Sequence, residues 1–236
     1  MYIIDPTDLI TDVTPSTEDA DFLAVNFQDN FRTNPWKATG SVESTLTLTV
    51  STGSAAIGLS YMNSGTVNVL VVTAGPTTEH DELYTIDSDN PNLFVNYGAV
   101  GAATITLTFA DPGTTIPYCG IVRCAAVHEF NNPKYGMTEG LKDYSIVKRR
   151  NSGALYYKSR DIVRTFSGQF NVTRDSDFYT FMHTIIKAHG QEPLFWKVAD
   201  LSNHDWAIFA ECSGMPSGSH SYFEQSNISF SLLEAM

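Results

Sequence analysis

The 236-residue chain carries a formal net charge of -12, with 42% apolar, 12% aromatic and only 17% charged residues. This composition excludes intrinsic disorder, and no apolar run approaches the roughly 20 residues that a membrane-spanning helix needs. So little charge points to partners covering part of the surface, and the length allows one large all-β domain or two of ordinary size.

The charge is unevenly placed. Up to Gly120 only Arg32 and Lys37 are basic, against fourteen carboxylates; from Ile121 onward twelve basic residues face twelve acidic ones. An acidic half without clustered Lys or Arg does not bind a phosphate backbone, so no nucleic acid is expected as a partner. Cys119, Cys124 and Cys212 form neither a CxxC motif nor a Cys/His metal spacing, and they are expected as buried thiols of a protein made in a reducing cytoplasm. Five positions apart, Cys119 and Cys124 point to opposite faces of a regular strand and cannot bridge locally. MYIIDPTDLITD has no basic region followed by a long apolar one, so no signal peptide is expected.

In chain order, NFRTNPWKATG (30 to 40) comes first, a polar loop with Trp36 at its centre. STLTLTV (44 to 50) alternates Leu46, Leu48 and Val50 with Thr45, Thr47 and Thr49, which is the period of a half-buried strand. AAIGLSYM, TVNVLVVTA, ELYTID, NLFVNYG, ATITLTF and CGIVRCAAVHEF continue the pattern to Phe130, separated by Gly, Pro, Asn and Asp. Short β-branched segments at this spacing predict an antiparallel sandwich or jelly roll over 1–130.

NNPKYGMTEGLKD (131 to 143) reads as a loop and a domain boundary. KRRNSGALYYKSR (148 to 160) is a hairpin candidate carrying Lys148, Arg149, Arg150, Lys158 and Arg160. IVRTFSGQFNV is a long strand with Ile162, Arg164, Phe166, Phe170 and Val172 on one face and Gly168 as a bulge candidate. In 175–190, Phe178, Phe181, Met182, Ile185 and Ile186 form a helical stripe, with Asp175 or Ser176 as N-cap and Gly190 at the C-terminal end. PLFWKV, DWAIFAEC and NISFSLLEA return to strands, with Trp196 and Trp206 as core residues. The fold class expected is mainly β, a jelly roll followed over 131–236 by an α+β domain with one packed helix.

NFRTNPWKATG before STLTLTV, YMNSGTVNVLVV and YCGIVRCAAVHEF resemble elements of the galactose-binding-like (discoidin-type) jelly rolls. The second half, from DYSIVKRRNSGALYYKSRDIVRTFSGQF through its helix to SFSLLEAM, resembles the tail-tube-like or distal-tail-like module of tailed phages. The resemblance implies a structural virion protein of the tail tip or baseplate, assembled with itself in a symmetric ring and with other tail proteins. The basic arm 148–160 is then the candidate subunit contact, reaching an acidic surface on a neighbour.

Motifs for catalysis are missing: there is no GxSxG, no P-loop, no HExxH. EHDE (79 to 82) gathers three carboxylates around His80, but a glycosidase needs two facing carboxylates about 5 to 9.5 Å apart, which contiguous residues do not define. It is read as an exposed loop, and a hydrolase built on Asp81 and Glu82 ranks last. DSDNPN (87 to 92) fails the count of an EF-hand loop, with Pro91 and Asn92 at its fifth and sixth positions. A calcium ion there and an ordinary Asx turn both fit its composition, and no other cofactor is indicated. Trp36 has two readings: with Arg32 and Asn34 it stacks and hydrogen-bonds a host glycan, or it plugs the end of the sandwich. The alternative to tail assembly is therefore a carbohydrate-binding module.

Overall fold

The structure is a computed structural model that describes residues 1–236 except 32, 41–42, 89, 111–114, 150–154, 174–175, 202–203, 221–223 and 236, and, for side chains, except 200–201 and 204–205. The chain packs as two units, one of Met1–Phe130 with Leu194–Phe209 and one of Asn131–Pro193 with Ala210–Met236. The uninterrupted second domain expected over 131–236 is corrected: Leu194–Phe209 packs with the first unit.

Strands of the first unit are Tyr2–Ile4 (β1), Ile10–Pro15 (β2), Trp36–Lys37 (β3), Ser44–Val50 (β4), Ala56–Met62 (β5), Thr66–Thr73 (β6), Thr78–Thr85 (β7), Asn92–Asn96 (β8), Ala103–Ala110 (β9), Tyr118–Ala125 (β10) and Val127–Glu129 (β11). They build an antiparallel sandwich of two sheets, β2-β4-β9-β6-β7 and β3-β10-β5-β8. Leu46, Leu48 and Val50 of β4, Val67, Val69 and Val71 of β6, and Ile105, Leu107 and Phe109 of β9 are buried in one core with Ile57 and Leu59 of β5. The alternate threonines of β4 and β9 turn outward, so the predicted period of two is what the sandwich uses.

Strand β5 is buried on both faces, because β1, β11 and the returning strand Leu194–Leu201 lie outside its sheet. Phe195 sits over Gly58 so closely that a Cβ built there falls 2.4 Å from the ring. Gly58→Ala is therefore expected to cost about 1–3 kcal/mol or more through overpacking. Urea unfolding followed by circular dichroism measures it, and an unchanged midpoint would show that Phe195 does not cover β5.

Both Cys119 and Cys124 lie in the core cluster, which corrects the expectation of opposite faces. All three cysteines are free and buried, and burial pushes Cys119 up to about 12 and Cys124 and Cys212 up to about 11, so they remain thiols at neutral pH.

The second unit begins with Thr138–Asp143 (β12), Ile146–Arg149 (β13), Leu155–Lys158 (β14) and Ile162–Thr173 (β15). After the helix and Leu194–Leu201 (β16) come His204–Cys212 (β17), Ser217–Ser219 (β18) and Gln225–Glu234 (β19). Strand β19 pairs with β15, with β18 and with residues 210–212 of β17, and β15 pairs with β12 on its other edge. Residues 138–143, read as loop, are thus a strand. Its alternation is weak because it is an exposed edge.

Gly168 is no bulge, since the β15–β19 register runs unbroken through it; the Met137 side chain lies over it, 3.1 Å from where a Cβ would stand. Val163 rather than Ile162 is buried at the start of β15, with Ile162 59% exposed. Arg164, the polar exception on that strand, is matched by Glu234 of β19 at 3.5 Å.

The helix over 177–189 is helical where the stripe predicts, but its middle, Thr180–Ile186, is a π-helix between short α-turns. The Lys187 N–H donates to the Met182 carbonyl, five residues back, and the wider turn brings Phe181 into line with both Ile185 and Ile186, all three buried. Ser176 has helical dihedrals and its hydroxyl donates to Asp177, so it is not an N-cap; Asp175 lies outside the described residues. Gly190 closes the helix at φ 62°, where the lack of a Cβ removes the penalty of the left-handed region. Trp196 is fully buried and Trp206 half-buried.

Candidate functional site

The loop 30–40 is structural. Trp36 is 0% exposed: its ring packs on Phe109 at 5.3 Å between centroids, and its Nε1–H donates to the Thr17 carbonyl at 3.1 Å. A sugar cannot stack on a ring that the core encloses, so the glycan role of Trp36 is corrected to the plug. Asn34 Oδ1 accepts from the Asn26 amide at 3.3 Å, and Lys37 stands over the Phe22 ring at 5.4 Å. From β10, the Arg123 guanidinium donates to Asn30 Oδ1 at 2.8 Å and to the Phe27 carbonyl at 3.3 Å, which ties the loop down. Arg32 lies outside the described residues.

EHDE is not a loop but part of the edge strand β7, so consecutive carboxylates point to opposite faces. Glu82 accepts from the Tyr84 hydroxyl at 2.5 Å, Tyr84 pairs with His80 Nε2 at 3.0 Å, and Asp81 accepts from the Asn68 amide on the other face. Asp81 and Glu82 therefore do not face a common substrate. Charges along an unpaired strand edge blunt it against pairing with other chains. In DSDNPN, Asp87 and Asn90 form a bridge that closes a turn, Asp89 lies outside the described residues, and no group of three His, Cys, Asp or Glu able to hold a metal occurs among the described residues.

The first unit does contain a cleft, of ≈ 490 Å³, at the end of the sandwich where β5 turns into β6 and where Ile86, Ser88 and Pro91 before β8 and Thr115 before β10 meet it. Its wall is made by Tyr61 and Tyr118, whose rings lie 5.5 Å apart at 45°. Tyr61 has φ 59°, and it is the only non-glycine with positive φ among the described residues. The strand alternation slips there: Ile57 and Leu59 enter the core and Met62 is the next to do so, leaving Tyr61 half-buried in the cleft. Holding a bulky residue in the left-handed region costs about 1–3 kcal/mol, and such outliers cluster at ligand sites.

The surroundings hold this arrangement rigidly. Asn63 is a clamp: its Nδ2 donates to the Ile116 carbonyl and its Oδ1 accepts from the Tyr118 N–H, both at 2.8 Å. The Met62 N–H donates to the Pro91 carbonyl at 3.2 Å and the Ile86 N–H to the Gly65 carbonyl at 3.0 Å. Ser60 hydrogen-bonds Asn92 beneath. Burial, with the Tyr61 phenol beside it, raises the Tyr118 pKa, so its hydroxyl stays a neutral donor. The Ser64 hydroxyl is buried in the wall without a hydrogen-bond partner among the described residues, a state that costs about 1–3 kcal/mol. Among the described residues no Asp, Glu, Lys, Arg or His lines the cleft; the polar groups there are hydroxyls and amides.

Residues of the cleft are spread over three segments between 61 and 118. The legible sequence signals were weak ones: YMNSG as a turn and IPY before the closing strand.

Of the predicted arm, Lys148 and Arg149 lie on β13 and Lys158 on β14, which pair with each other as an exposed hairpin; Arg160 follows it and is exposed, and Arg150 lies outside the described residues.

The sequence matches no family model and no curated protein. Solved structures similar to it include the lectin domain of lectinolysin complexed with Lewis B antigen, at 10% identity over 49% of this chain and 92% of that one, with a TM-score of 0.42. Chitosan-binding module 1 of a chitosanase/glucanase from Paenibacillus sp. IK-5 is 18% identical over 50% and 97%, with a TM-score of 0.42. A fucose-binding module of Streptococcus pneumoniae is 9% identical over 50% and 96%, with a TM-score of 0.41. Superpositions this loose transfer neither a ligand nor a site.

Proposed function

We propose that the first unit is a carbohydrate-binding module without a catalytic step of its own, and that it holds a neutral saccharide in the cleft between Tyr61 and Tyr118. The observation that carries this reading is the strained Tyr61 paired with Tyr118 in a cleft lined by hydroxyls and amides and, among the described residues, by no charged side chain. Aromatic rings cover the apolar C–H face of a sugar, while phenol, serine and amide groups meet its hydroxyls. A phosphorylated or sulfated ligand would find no cation among the described lining residues.

Titration calorimetry of the full chain against neutral mono- and oligosaccharides tests it. Binding in the range of about 1 mM or tighter is expected, with loss of at least roughly tenfold in Tyr118→Ala while the circular dichroism spectrum is kept. No binding to any neutral saccharide at that level would sink the reading.

A further inference from the structure

Strands β13 and β14 pair only with each other among the described residues. Their exposed apolar side chains are Val147 at 60%, Leu155 at 61% and Tyr157 at 58%, with Tyr156 at 44%. The register Val147↔Tyr157 and Arg149↔Leu155 places Val147, Arg149, Leu155 and Tyr157 on one face of the ribbon. A two-stranded ribbon is marginal in water without a third strand or a packed face, and an apolar face of this kind marks an interaction surface. Its charge is of one sign: Lys148, Arg149 and Lys158 stand on the two strands with no carboxylate.

The complementary surface is on the first unit. On the outer face of its five-stranded sheet, β6 and β7 place Leu70 opposite Asp81 and Asn68 opposite Leu83. Leu83 is 65% exposed, Asp81 is exposed, and the far edge of β7 pairs with no strand among the described residues. Leu70, Leu83 and the Asp81 carboxylate thus meet the requirement of a face made of Val147, Leu155, Tyr157 and Arg149. The first 120 residues supply fourteen carboxylates against two basic side chains, so the long-range field also draws the arm there.

We propose that the chain self-associates, with the β13–β14 arm of one copy seated on the outer β6–β7 face of a second copy. Apolar contact between Tyr157, Leu155 and Leu83 gives the affinity, and Arg149 against Asp81 sets the orientation. The two surfaces differ, so the contact is heterologous and can extend from copy to copy.

Sedimentation equilibrium of the full chain at up to about 100 µM tests this, at low salt and at about 0.5 M, where exposed charges are screened. Concentration-dependent assembly that weakens with salt is expected. Arg149→Glu and Asp81→Arg should each weaken it at least roughly tenfold, and an equimolar mixture of the two variants should recover association with each other. Tyr157→Asp should abolish it with the circular dichroism spectrum unchanged. A monomer at every concentration and salt overturns the proposal; so does assembly indifferent to Arg149→Glu and Asp81→Arg, or a mixture that fails to recover. None of these substitutions touches the cleft, so saccharide binding should persist in all of them, and its loss would show damage to the first unit instead.

Discussion

Tyr61→Gly is expected to lose saccharide binding at least roughly tenfold while unfolding at higher urea than Tyr61→Ala. Both substitutions delete the ring that faces Tyr118 at 5.5 Å, so both should lose the ligand equally. They differ in the backbone. An alanine at φ 59° keeps the clash of its Cβ with the following carbonyl, whereas glycine takes that conformation freely. The difference should be about 1 kcal/mol in favour of glycine, even after glycine's larger unfolded-state entropy is counted. Binding loss together with that stability order would identify Tyr61 as a residue held under strain for the cleft. If Tyr61→Ala is the more stable of the two, the strain is not there; if both keep binding, the cleft is not the saccharide site.

Trp36→Ala should act in the opposite way, through the core. Removing a fully buried indole leaves a cavity beside Phe109 and strands the Thr17 carbonyl that accepts its N–H, and such truncations cost about 3–5 kcal/mol. Trp36→Phe keeps most of the packing and should cost about half as much or less. Urea unfolding followed by circular dichroism gives both numbers. A Trp36→Ala protein as stable as the parent but deficient in saccharide binding would return the loop 30–40 to the role of a ligand site.

These two aromatics show how much of the protein was legible before its structure. Trp36 stands in a polar neighbourhood of the chain, and only the pairing of β3 with β10 and the packing of its ring on Phe109 of β9 bury it. Tyr61 stands in a strand that reads as ordinary, AAIGLSYM, and nothing in its residue types announces a positive φ. Asn63 is read as a turn residue, yet its amide closes two hydrogen bonds to a segment more than fifty positions away. The helix was legible as a stripe but not as a π-turn, because spacings of four and five residues fit an α-helix nearly as well. EHDE looked like a loop because edge strands carry the charges that loops carry.

By itself the sequence determined the class of the fold: alternating Leu, Val and Thr in β4, β6 and β9, turn residues between them, one helical stripe, and an acidic first half beside a basic hairpin. Each of these is a local property, a period or a composition that acts within a dozen residues. Tertiary structure alone decided that Leu194–Phe209 returns to the first unit over Gly58, that Trp36 closes the core, and that Tyr61, Ser64 and Tyr118 share a cleft. The physical reason is that sandwich pairing joins strands far apart in the chain, such as β5 with β10 and β4 with β9, and side chains meet according to register and twist rather than distance along the sequence.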